Sequence, residues 1–127
     1  MNYDELNDKL RQLKIEDFIW VIYIGIIIMS WYANNLERKY FIYNDLDSKE
    51  KYRKIMITIF LILVVIYLYF LKDSFNDMKK ISSYDSEQKK NLTFLSFLAS
   101  LFVAISGFIF LYILIKDESI DVEIAFN

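Results

Sequence analysis

Whatever chemistry this chain performs is done without histidine and without cysteine. Their absence removes most zinc-binding sets, thiol nucleophiles and the commonest general base. The sequence also has no phosphate-cradling glycine loop, no dinucleotide fingerprint and no strained serine turn. No Asp, Glu, Lys or Arg interrupts the runs Phe18–Leu36, Ile55–Leu71 and Asn91–Ile115, and charges inside such runs are what proton relays and ion-coupled transporters depend on. The expectation is a protein without catalytic activity, cofactor or metal site, acting through contact with other molecules.

Three constellations remain. In the third uncharged run, Thr93, Ser96, Ser100, Ala104 and Gly107 fall on one side of a helix drawn at 100° per residue. Small residues at that spacing let a second helix approach closely in lipid, and hydroxyls add cross-helix hydrogen bonds. Such a face receives another helix of the same chain, meets a second copy or a partner protein, or lines a narrow polar path. The second constellation is the basic run containing Lys49, Lys51, Arg53 and Lys54. It suits anionic lipid headgroups, although a solvated helix start looks the same. The third is the end of the chain, where Ile120, Val122, Ile124 and Phe126 alternate with Asp121, Glu123 and Ala125. Period two is strand-like, and an extended acidic peptide can dock on a sheet edge or in a groove; a frayed terminus is the simpler reading.

The elements that hold these residues follow from the uncharged runs, which are 19, 17 and 25 residues long. Crossing a hydrocarbon core takes roughly 20 helical residues, and Lys54 and Lys72 can snorkel from the edges of the shortest run. The stretch Ile57–Ile66 has no polar face, unlike the helices of a soluble bundle. Hydrophobic residues make up 56% of the chain, above the usual ~45–50%. The fold expected is an all-α membrane protein with three transmembrane helices extended beyond the bilayer as a helical bundle, multi-pass in the cell membrane. Its parts are an amphipathic N-terminal helix (1–17), transmembrane helix 1 (18–36), a polar loop and helix start (37–54), transmembrane helix 2 (55–71), a polar helical hairpin (72–91), transmembrane helix 3 (92–115) and an acidic C-terminal tail (116–127).

Local signals refine this. Tyr3, Leu6, Leu10 and Leu13 recur at three, four and three, so an apolar stripe leads into the first span. It either packs with Phe75 and Met78 as a water-exposed cap or lies on the lipid surface. Asp47 with Glu50, and Asp85 with Gln88, resemble capping boxes. They predict helices over roughly 4–34, 48–81 and 86–116. Trp20, Trp31, Tyr32, Tyr52, Tyr67, Tyr69 and Tyr112 suit the headgroup zone; Tyr23 lies deeper, where its hydroxyl needs a partner. A cleavable signal peptide fits poorly, because five acidic and three basic residues precede the first run. Orientation is balanced, with eight Lys and Arg on the N-terminal side of the three-span arrangement against seven on the other.

In size and number of uncharged runs the chain resembles phage holins, and that resemblance implies an oligomeric pore former. The residues themselves favour an interaction protein: a subunit, anchor, regulator or immunity-type protector. Its partners would be the lipid bilayer and another membrane protein or further copies of itself. No nucleic-acid partner is expected at a net charge of −2. Abundant Ile, Lys, Asn, Tyr and Phe suit an AT-rich genome and point to a bacterial source.

Overall fold

The computed structural model of the chain describes residues 2–116, and those residues form three α-helices with no strand among them: α1 (Tyr3–Tyr43), α2 (Leu46–Lys79) and α3 (Glu87–Lys116). Two of them, α2 and α3, are long and apolar enough to cross a membrane. α1 is not in that pair. The chain divides between Ile55 and Met56 into two compact units.

The first unit holds α1 and the opening turns of α2. α1 starts on an Asn2 cap whose side-chain oxygen accepts the Glu5 amide at 2.8 Å, with Asp4 and Glu5 placed favourably at the positive end of the helix dipole. It then runs unbroken for 41 residues, about 60 Å. The segment 37–43, expected in a loop, is therefore helical, and the connection shrinks to Asn44 and Asp45. Nothing between Asn34 and Tyr43 breaks a helix: proline is absent and the asparagines cost only tenths of a kcal/mol. The break comes where Asn44 takes a left-handed conformation at φ 52°, which asparagine tolerates better than most residues. Asp45, not Asp47, caps α2. Its carboxylate accepts the Asp47 amide at 3.1 Å and the Ser48 hydroxyl at 2.8 Å. The chain turns back at this corner, so that the Lys49 ammonium lies 5.2 Å from the Tyr40 ring centroid.

Burial on α1 follows a line through Glu16, Ile19, Tyr23, Ile26, Ser30 and Ala33, half-buried or buried. Steps alternating between three and four are the seam spacing of left-handed helix packing. The N-terminal apolar stripe is on a different face, and Tyr3, Leu6, Leu10 and Leu13 are all exposed.

The second unit is a hairpin of the rest of α2 and α3. Two seams run along α2, one through Met56, Ile59, Leu63 and Ile66, the other through Phe60, Val64 and Tyr67 to Ser74. The connection is the turn 80–86. Asp85 accepts the Ser82 amide at 2.8 Å. Ser86 then caps α3, accepting the Lys89 amide at 3.1 Å. The cap expected at Asp85 thus sits one residue later, with Asp85 closing the turn before it.

Candidate functional site

Both uncharged helices of the second unit need a surface on which close approach is possible, and α3 supplies it. Its least exposed line is Phe97, Ser100, Ala104, Gly107, Leu111 and Leu114. The middle of this line is small and the ends are bulky. α2 answers with bulk in the middle: a Cβ added to Gly107 would lie 2.9 Å from Tyr67 Cδ2 and 3.3 Å from Val64 Cγ2. The helix backbones can come this close only because position 107 has no side chain.

Seven residues along α2 from Tyr67 is Ser74, and seven back along α3 from Gly107 is Ser100. Their hydroxyls meet at 2.9 Å. Ring pairs close both ends, Phe60 with Phe110 at 5.5 Å and Phe75 with Phe97 at 5.8 Å between centroids. The part-buried Ser74–Ser100 bond is worth about 0.5–1.5 kcal/mol, and each ring pair about 0.5–1.5 kcal/mol beyond its area. The assembly has the geometry of a packing surface and holds two helices in register.

Of the five small residues singled out by sequence, Ser100 and Gly107 meet α2 and Ala104 is buried between them on the same line. Ser96 is exposed. Thr93 turns its hydroxyl back onto the Lys89 carbonyl at 2.8 Å, the usual resort of a helical threonine. Ser96 was placed on the face by the 3.6-residue period, whereas packed antiparallel helices follow 3.5; that period selects Phe97 instead. Ser74, Tyr67 and Val64 went unremarked as partners, although the seven-residue step from Tyr67 to Ser74 was available as a signal.

The basic run is largely compensated inside the chain. Lys51 pairs with Asp47 and Lys54 with Glu50, each at 3.3 Å. Lys49 lies over Tyr40, and Arg53 is half-buried and engaged. The hydrogen bond from Lys51 to Asp47 raises the lysine above its usual range. Among the expected headgroup-zone aromatics, Tyr52 is instead buried and Tyr67 packs on Gly107; Trp20, Trp31 and Tyr112 are exposed. Ile120, Val122, Ile124 and Phe126 lie outside the described residues.

Carboxylates at the helix ends differ in environment. Asp85 is held below its ordinary value of 3.8, first by the Ser82 amide and then by Lys89. Asp45 is lowered chiefly by the Ser48 hydroxyl. Asp73, half-buried beside Ser74, is raised by desolvation and by repulsion from Asp77, against the pull of Lys80.

The chain matches no protein-family model, no curated protein and no solved structure.

Proposed function

We propose that the chain is a three-span integral membrane protein of the cell membrane that acts by binding another membrane protein, with no catalytic activity. The observation that carries this reading is the outward face of all three uncharged runs. Ile27 is 64% exposed on α1, Val65 67% on α2 and Phe102 62% on α3, and each has large apolar neighbours similarly exposed. In water such surfaces drive association. In a bilayer they are the lipid-facing surface, and every backbone polar group inside the helices is already satisfied.

The third crossing is assigned to Phe18–Leu36, 19 residues without a charge inside one continuous helix. The α2–α3 register bears on which residues share a level. Because Ser74 stands opposite Ser100, the charged residues Lys72 and Asp73 are level with the region of Ser100 rather than with Asn91. Residues 92–99 therefore run beside the charged end of α2. This also speaks against the holin-like alternative. A water path needs free hydroxyls along the membrane's depth, whereas Ser100 is bonded to Ser74, Thr93 to its own helix, and Thr93 and Ser96 belong to the charged end.

Two measurements test the reading. Purified chain reconstituted in dye-loaded vesicles is expected to cause no leakage. Its mass in mild detergent is expected to be that of a monomer or small assembly. Dye release together with a ring-sized particle would replace this proposal by the pore former.

A further inference from the structure

The exposed face of α1 carries a second seam. Tyr3, Leu6, Leu10, Leu13, Asp17, Trp20, Ile24, Ile27 and Trp31 follow one another at alternating steps of three and four, and every one is exposed. It lies one residue, about 100°, around the helix from the buried line. The half from Trp20 onward falls in the uncharged run, where lipid can cover it. The half from Tyr3 to Leu13 precedes that run, and there Leu10 is 51% and Leu13 52% exposed. On the three-span reading, on which this inference rests, residues 3–17 stand about 22 Å out of the bilayer. They cannot lie down on it, because α1 is unbroken and has neither Pro nor Gly before position 25. Lipid therefore does not cover Leu6, Leu10 and Leu13.

The charges beside the seam say what does. Taking Tyr3, Leu10 and Asp17 as a positions and Leu6, Leu13 and Trp20 as d, the flanking g and e positions in reach of each other across a parallel pair are Lys9 and Lys14. Copies sharing one orientation in a membrane can pair here only in parallel. Self-pairing would then set Lys9 against Lys14 of the other copy and Asp17 against Asp17. Neither lysine nor Asp17 makes an ion pair among the described residues, whereas Arg11, off the seam, is joined to Asp8 at 2.9 Å.

We propose that this seam docks a helix of a different membrane protein, one that runs parallel to α1 from water into the bilayer. That helix is apolar along its seam, acidic opposite Lys9 and Lys14, and basic opposite Asp17. The like charges set a second copy at a disadvantage, and the continuation of the line from Tyr3 to Trp31 lets the partner follow α1 into the membrane.

The test uses the full chain in phosphatidylcholine vesicles with a synthetic single-span helix as probe. The probe has leucines along its seam, glutamates facing Lys9 and Lys14, and a lysine facing Asp17; a twin carries the opposite charges. Energy transfer is expected with the probe and about tenfold weaker with the twin. The doubly substituted Lys9→Glu, Lys14→Glu chain should shift its preference towards the twin, and Leu10→Ser, at an exposed position, should lose both. Equal transfer with probe and twin, transfer with neither, or disulfide cross-linking of a Leu10→Cys chain to itself would overturn the proposal. Labelling of Leu6→Cys and Tyr43→Cys chains by an impermeant maleimide, from opposite sides, reads the span separately. A failed probe with correct labelling removes the docking seam alone, whereas same-side labelling removes the span beneath it.

Discussion

Gly25 and Gly107 are the chain's two glycines, both inside helices, and the space around them is opposite. Nothing lies within 4 Å of a Cβ added at Gly25, whereas one at Gly107 would press into the Tyr67 ring. Gly25→Ala should therefore raise thermal stability in detergent by roughly 0.5–1 kcal/mol, the ordinary gain in a helix interior. Gly107→Ala should lower it by roughly 1–3 kcal/mol through overpacking. Opposite shifts in Tm for one identical substitution would establish that Gly107 is kept for contact with α2. Titration supplies a second residue-scale expectation. Asp85 has a lowered folded pKa, so its contribution to stability is complete above the ordinary Asp range and disappears as pH falls through the folded value. Asp73 is raised, so its deprotonation opposes folding, and stability improves as pH falls through its folded value towards 3.8. Carbon-13 carboxyl titration should place the Asp85 midpoint below 3.8 and the Asp73 midpoint above it. Asp85→Asn should remove the first pH dependence and leave the second.

Helices in this chain end where a specific residue ends them. α1 continues nine residues past the expected stop because polarity alone does not terminate a helix, and it stops at the left-handed Asn44. Asn44→Gly is expected to be neutral or slightly stabilising. Asn44→Val should cost about 1–2 kcal/mol, since a β-branched residue resists that conformation, and should loosen the Tyr40–Lys49 corner. Chemical denaturation of the two variants in detergent would show the difference. The α2–α3 seam gives the complementary element-scale expectation. Ser100→Leu removes the hydrogen bond to Ser74 and adds bulk to a close approach, so the hairpin should separate or shift register. Phe108→Leu, on the 49%-exposed side, should be mild. Cysteine cross-linking between positions 75 and 97, whose rings lie 5.8 Å apart across the seam, reports which occurs.

At the scale of the molecule the chief expectation is topological. With three crossings, reporters fused at Met1 and at Asn127 should report from opposite sides of the membrane. Uniform same-side reporting would leave two crossings, by α2 and α3, with α1 wholly outside. The Lys and Arg count, eight against seven, gives insertion little bias, so either orientation of the three-span arrangement is compatible with it.

Sequence by itself determined the all-helical class, the presence of long apolar helices and the absence of thiol and imidazole side chains. These are local properties: an uncharged apolar run without proline and with at most one glycine has few other conformations open to it, and composition is visible residue by residue. It located the small residues of α3 as well, but not their partners. Only tertiary structure decided that Phe97 replaces Ser96 on the seam, that Ser74 answers Ser100, and that Tyr52 is buried rather than at a lipid surface. The physical reason is common to the first two. A single helix repeats every 3.6 residues, two packed helices share a 3.5-residue seam, and which residue of α2 stands level with which residue of α3 depends on the Gly107–Tyr67 approach. That approach involves positions forty residues apart in the chain. The same register, not the length of the uncharged run, decided that the charged end of α2 stands level with Ser100.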